Sequence, residues 1–137
     1  MTSTLLPVLV ELRTQEELLR RHLPGTAEEL ALDPDAVERV GFHLAQTLEA
    51  CVELASRVAV ERGWTPPAEF PTAMDMLGAS GLADAPLVQA LRTLGAFRRA
   101  SAEGYTGIDV ERLHDVAAQT MALVTTLLER AEILRGG

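Results

Sequence analysis

Apolar residues recur at three- and four-residue steps along almost the whole chain, and no stretch alternates apolar with polar for long. That period belongs to amphipathic α-helices and leaves no material for a sheet. Leucine and alanine dominate, while only two isoleucines occur, Ile108 and Ile133. The expected fold class is therefore all-α. At 137 residues the chain supports one core, so residues 1–137 read as a single helical domain.

Prolines, glycines and capping residues divide the pattern. A first helix runs from about Leu5 to His22, with Leu5, Leu9, Leu12 and Leu19 on one stripe and Pro7 in its first turn, and Pro24-Gly25 ends it. Thr26 with Glu29 forms a capping box for a short turn of helix. The longest helix opens near Pro34 and reaches Arg62, with Val37, Gly41, Leu44, Leu48, Val52, Ala55 and Ala59 on one face and Gly63 as its stop. Thr65 to Pro71 reads as a loop, and a short helix follows from about Thr72 to Leu77, ended by Gly78-Ala79-Ser80-Gly81. Asp84 caps the next helix, which extends through Leu87, Leu91 and Leu94 into Arg98-Arg99 until Gly104. Asp109 caps a last helix to about Leu134. Four main helices with short connections make an up-and-down bundle, with short helices added. The last helix carries Val116, Leu123, Leu127 and Leu134 off its main stripe. Two readings follow: a second face for a partner chain, or a fully buried central helix.

Charge and composition exclude several functions. Twelve basic residues stand against twenty acidic ones, a net charge of −8, which argues against a broad nucleic-acid surface and against DNA as a partner. Every basic residue is an arginine, so any chemistry that needs a lysine, a Walker A phosphate loop included, is excluded. No apolar run approaches membrane length and no basic segment precedes an apolar one at the N-terminus, so the expected location is the cytoplasm, away from membranes. Cys51 has no partner for an intramolecular disulfide and lies in an apolar helical stretch, the setting of a buried structural thiol. His22, His43 and His114 lack metal-ligand spacing, so neither a metal nor a cofactor is expected. Gly78 to Gly81 matches the glycine loop of KH domains only superficially, because that domain needs a sheet. Ser101 has no histidine nearby in sequence to activate it.

One segment stands apart. Arg92, Arg98 and Arg99 crowd into eight residues of an acidic chain, and Tyr105 follows. On a helix Arg98 and Tyr105 share a face, where guanidinium and phenol could hold a phosphate and a base. An ordinary solvated arginine face is the other reading.

The segment Gly95-Ala96-Phe97-Arg98-Arg99 followed by Gly104-Tyr105-Thr106-Gly107-Ile108-Asp109 resembles the HepT-like family of the HEPN superfamily. That family's signature is an arginine, four residues, a histidine, one residue and a tyrosine, then a short turn and an Ile-Asp start to the last helix. The likeness extends to Leu32-Asp33-Pro34-Asp35, to the Glu-Arg-Gly end of the long helix and to the spacing from Pro67 to Gly81, and covers roughly Ala31 to Leu134. It implies a HEPN-like bundle and a toxin-antitoxin component. The implied toxin is a metal-independent ribonuclease whose arginine and histidine meet in a cleft between two protomers of a homodimer. The implied partner is a minimal nucleotidyltransferase antitoxin that adds AMP groups to the motif tyrosine. By position, Arg98 is the catalytic arginine and Tyr105 the modifiable, RNA-facing tyrosine.

The histidine position holds Glu103, and the polar position after the arginine holds Arg99. Arg99 and Glu103 are four apart and can pair along a helix, a contact worth about 0.3 kcal/mol. RNA cleavage by a ribose hydroxyl needs a base, an acid for the leaving oxygen and positive charge at the phosphate. Histidine suits both proton transfers because its pKa lies near neutrality. Glutamate can act as a base, but when ionised it repels the substrate and has no proton to give. The expectation is a weak or inactive ribonuclease at Arg98 and Glu103, supported by Arg99. The competing expectation is a non-catalytic dimeric binding module, or a substrate-binding subunit for a nucleotidyltransferase.

Overall fold

In a computed structural model of the protein, residues 5–97 and 110–136 are described, and they contain helices and no strand. The elements are α1 (Leu6–His22), α2 (Ala27–Ala31), α3 (Pro34–Arg62), α4 (Phe70–Ala79), α5 (Ala85–Arg92) and α6 (Val110–Gly136).

The helix starts and stops follow local chemistry. Thr26 accepts from the Glu29 N–H at 3.1 Å, Asp33 from Ala36 at 3.2 Å and Asp84 from Leu87 at 3.0 Å, so each satisfies an N–H that its helix cannot. Gly63 ends α3 in the left-handed region at φ 72°, which lets Trp64 N–H turn back to the Ala59 carbonyl at 2.7 Å.

Two boundaries depart from the sequence reading. Phe70 and Pro71 belong to α4 rather than to the preceding loop. Pro71 sits in the first turn, where a missing N–H costs nothing, and Phe70 is buried, so packing draws the helix start back to it. The helix expected to run from Asp84 through Leu94 into the arginine pair breaks at Thr93. There the Thr93 hydroxyl donates to the Ala90 carbonyl at 2.6 Å, and Thr93 and Leu94 N–H groups reach back only three residues. Residues 95–97 are helical again. The offset brings Gly95 against Phe70, where an added Cβ would lie 3.3 Å from the ring.

Side-chain pairings fix the directions of the long helices. His43, early in α3, meets Gln15 and His22 from the second half of α1, whereas Leu5 and Val58 share a cavity at the other end. The two helices are antiparallel. Arg20 reaches Thr125 while Leu6 lines a groove with Ala131, so α1 and α6 are antiparallel too. The α4–α5 turn is held from both sides: Arg62 donates to the Ser80 carbonyl at 3.2 Å and Arg130 to the Gly81 carbonyl at 3.0 Å.

Buried residues from all six helices join in one core. The stripe expected on α1 is buried throughout. On α3, Gly41, Leu44, Leu48, Ala55 and Ala59 of the predicted face are buried while Val37 and Val52 are half-buried, and Val40, Cys51, Leu54 and Val58 are buried besides, because α1 covers one side of the helix and α4 another. Thr47 and Thr120 are fully buried and donate to carbonyls one turn back, each at 2.7 Å, so neither hydroxyl is orphaned. On α6, Val116 and Leu127 widen the main stripe, Leu123 is half-buried and Leu134 is exposed. Glu111, Arg112, Asp115, Ala118 and Gln119 face solvent, so the helix is amphipathic rather than buried all round. No described helix is long and apolar enough to cross a membrane.

Candidate active site and its framework

The motif residues Arg98, Arg99, Glu103 and Tyr105 lie outside the described residues, as do Ser101 and the cap Asp109. What the structure describes is the frame that carries them. On the entering side, Leu91, Leu94 and Phe97 are buried at 0, 2 and 5% exposure, three residues apart, and anchor the chain directly ahead of Arg98. Gly95 packs on Phe70 in the same stretch.

Arg92 does not belong to a free basic patch. Its Nη1 lies 2.7 Å from each carboxylate oxygen of Asp75 on α4, so the cation is committed to holding α5 against α4. Sequence spacing grouped it with Arg98 and Arg99, because nothing local signals a partner seventeen residues upstream.

On the leaving side, α6 is anchored within its first two turns. Leu113, Val116 and Ala117 are buried. His114 Nε2 stands 2.8 Å from the Pro24 carbonyl, tying the start of α6 to the turn that ends α1. His114 is thus a structural contact between α6 and the end of α1.

The other two histidines meet, which the sequence did not foretell. His22 and His43 stack with ring centroids 5.4 Å apart and planes 4° from parallel. Phe42 meets His43 edge-on at 5.3 Å, and Gln15 Oε1 lies 2.9 Å from His43 Nδ1. Burial, and then the charge of His22, hold the His43 pKa below its ordinary 6.5. Among the described residues no three metal-ligating side chains gather. Cys51 is 1% exposed and burial pushes its thiol up to about 12, so it is inert as a nucleophile at neutral pH. Gly78 to Gly81 forms a helix-helix turn, with Gly81 at φ 87°.

The comparisons fit this frame. The family profile described as ribonuclease HepT-like matches residues 12–131, from the middle of α1 to the last turns of α6. No curated protein matches the sequence. Among solved structures, the fold is similar to a tri-AMPylated Shewanella oneidensis HEPN toxin in complex with MNT antitoxin, at TM-score 0.82 and 14% identity over 97% of this chain and 99% of that one. It is also similar to a toxin-antitoxin structure with AMP-PNP, at TM-score 0.79 and 13% identity over 95% of this chain and 98% of that one. A mutant MntA-HpeT toxin-antitoxin structure matches at TM-score 0.80 and 13% identity, over 96% of this chain and 99% of that one. At such identities the likeness speaks for the HEPN fold. The profile match runs through the arginine-to-tyrosine segment and both helices that frame it, and on that ground the chain belongs to the HepT-like ribonuclease family.

Proposed function

We propose that this protein is the HepT-like component of a toxin-antitoxin module, with a nuclease that is weak or lost. In this reading it forms a homodimer with Arg98 facing RNA in a cleft between protomers. A minimal nucleotidyltransferase antitoxin neutralises it by adding AMP to Tyr105. The observation that carries the reading is the family match across a segment in which Arg98 and Tyr105 keep the motif spacing. That the similar solved structures are toxin-antitoxin complexes, one with an AMPylated toxin, supports the partner and the modification.

The loss of activity follows from Glu103. In cleavage by the ribose 2′-hydroxyl, the base takes that proton, the oxygen attacks phosphorus, and the departing 5′-oxygen needs a proton in turn. Arg98 supplies positive charge for the phosphate throughout. Glu103 can take the first proton, but in-line displacement puts the departing oxygen on the far side of phosphorus from that base, and a carboxylate ionised at neutral pH brings no proton to it; Arg99, four residues earlier in the sequence, favours the ionised form. General acid-base catalysis contributes about 100- to 10,000-fold, so the substitution removes most of the expected rate.

RNA cleavage by the purified protein beside Arg98→Ala and Glu103→His tests the assignment. Little cleavage by the wild type and a strong gain with Glu103→His are expected. Equal activity in the wild type and Arg98→Ala would end the catalytic assignment. Mass spectrometry for AMP on Tyr105, after incubation with the nucleotidyltransferase and ATP, tests the modification.

The double replacement at Arg99 and Glu103, with the acidic balance of the chain, favours one second reading. It is a non-catalytic dimeric binding module, or a substrate-binding subunit for a nucleotidyltransferase. RNA cleavage that depends on Arg98 would exclude it.

A further inference from the structure

The chain's three histidines lie far apart in sequence, yet all of them meet the end of α1. His22 closes that helix and stacks on His43 of α3, and Pro24, two residues on, accepts a hydrogen bond from His114 at the start of α6. The hydrogen on His43 can be placed. Glu11 Oε1 accepts from Gln15 Nε2 at 2.9 Å, which turns the Gln15 carbonyl oxygen toward His43 and makes Nδ1 the donor. Nε2 of the neutral ring is then bare, and a further proton goes there. His22 and His43 are both half-buried, so solvent reaches the pair, and Phe42 meets His43 only edge-on.

No carboxylate balances charge on these rings directly. Among the described residues neither imidazole forms an ion pair. Within a turn of His43 on α3 the charged side chain is Arg39, and within a turn of His22 on α1 they are Arg20 and Arg21. Arg20 is turned to Glu16 and Thr125. Glu11 is reached only through Gln15, Glu29 of α2 is held by Thr26, and α6 adds the imidazole of His114. One protonated ring can stack on a neutral one, as a cation does on an aromatic face. Two protonated rings with centroids 5.4 Å apart repel. Burial and the charge of His22 hold the His43 pKa below its ordinary value, so the closed pair resists a second proton. The parted rings take both protons more readily, and acid therefore favours parting.

We propose that the stacked pair is a proton-operated clasp: closed, it holds the end of α1 against α3, and doubly protonated it lets that end part and, through Pro24, loosens the start of α6. The end of α1 is the part able to yield. Leu12 and Leu19 are fully buried, whereas beyond His22 the backbone turns extended, Leu23 and Pro24 are half-buried, and Gly25 and Thr26 are exposed. The 2.8 Å bond from His114 Nε2 to the Pro24 carbonyl carries the movement to α6. The clasp operates whether or not the protein cleaves RNA.

Two measurements on the full chain test it. The Hε1 signals of the three histidines are followed by NMR from about pH 8 to pH 5. His22 and His43 should titrate over a broadened range, as two sites that repel each other do. His22→Gln should leave His43 with a simple one-proton curve at higher pH. Hydrogen exchange, corrected for its intrinsic pH dependence, reads the opening. The last turn of α1 and the first two turns of α6 should lose about tenfold or more of their protection between about pH 7.5 and pH 5, while residues 48–58 of α3 keep theirs. His22→Gln with His43→Gln should abolish that change, with folding checked by circular dichroism; if the double variant does not fold, His22→Gln alone gives the comparison. Independent one-proton curves for His22 and His43 in the wild type, equal protection at both pH values, or loss confined to α1 would overturn the proposal. So would loss spread evenly over all the helices, which is ordinary acid unfolding.

Discussion

Arg92 Nη1 lies midway between the two carboxylate oxygens of Asp75, 2.7 Å from each, and so ties the end of α5 to α4 just ahead of the candidate motif. The pair is partly exposed, with side chains at 37 and 56%, so its contribution to stability is small, within about 1 kcal/mol. Asp75→Ala and Arg92→Ala should each lower the urea midpoint slightly. A double-mutant cycle should return a favourable coupling of about 0.5 kcal/mol. A coupling of zero would mean that the pair holds nothing in place.

Gly78 is a packing requirement rather than a conformational one. A Cβ there would come within 2.7 Å of Val88 Cγ2, and valine has little rotamer freedom with which to retreat. Gly78→Ala is expected to cost about 1–3 kcal/mol by overpacking the α4–α5 contact. Val88→Ala should recover part of that loss in the double variant, measured by chemical denaturation. Additive losses would place the strain elsewhere.

Gly81 tests the opposite cause. Its φ of 87° is one that other residues rarely adopt, while the space around its missing Cβ is open. Gly81→Ala should therefore destabilise by about 1 kcal/mol through backbone strain alone, with no neighbouring truncation able to rescue it. Rescue by Val88→Ala would contradict this account.

Cys51 should be invisible to thiol reagents in the native protein and fully labelled in urea, because it is buried and its pKa is pushed up to about 12. The same shift predicts alkaline destabilisation. Above its ordinary value of 9.0 the unfolded chain loses the thiol proton while the folded one keeps it, so stability falls from pH 9 toward 12. Cys51→Ala should remove that component of the pH dependence. Rapid native labelling at neutral pH would sink the assignment as a structural thiol.

His43 predicts an acid-side effect of opposite origin. Its folded pKa is lowered, so below 6.5 the unfolded chain binds the proton more readily. Stability from this group is present above 6.5 and is lost as pH falls through the lowered value. The urea midpoint of the wild type should drop more between about pH 7.5 and pH 5 than that of His43→Gln. Parallel curves for the two proteins would show that His43 does not titrate differently on folding.

Much of the fold was legible because it is written in contacts three or four residues apart. Thr26 and Asp84 cap the helices they were expected to cap, Gly63 closes α3, and the leucine stripe of α1 is buried as its spacing required. The proposed site rests on a signal of the same local kind: Arg98, Glu103 and Tyr105 are grouped because their order and spacing along the chain resemble a family pattern, and all three lie outside the described residues.

Tertiary structure decided the matters in which distant side chains compete with local preference. Phe70 enters the core and draws the start of α4 across Pro71, and the fit of Gly95 against that ring accompanies the break at Thr93 in a run whose periodicity reads as one helix. Arg92 leaves the basic cluster for Asp75, His22 finds His43 across α1 and α3, and Glu16 to Glu132 gather along one groove only because α1 and α6 run antiparallel. The sequence by itself determined which segments are helical and where most of them are capped, since those free energies are set within a turn or two. Which helices touch, and therefore which charges and rings face one another, was decided by burial of the shared apolar surface, a sum over the whole chain that no local window contains.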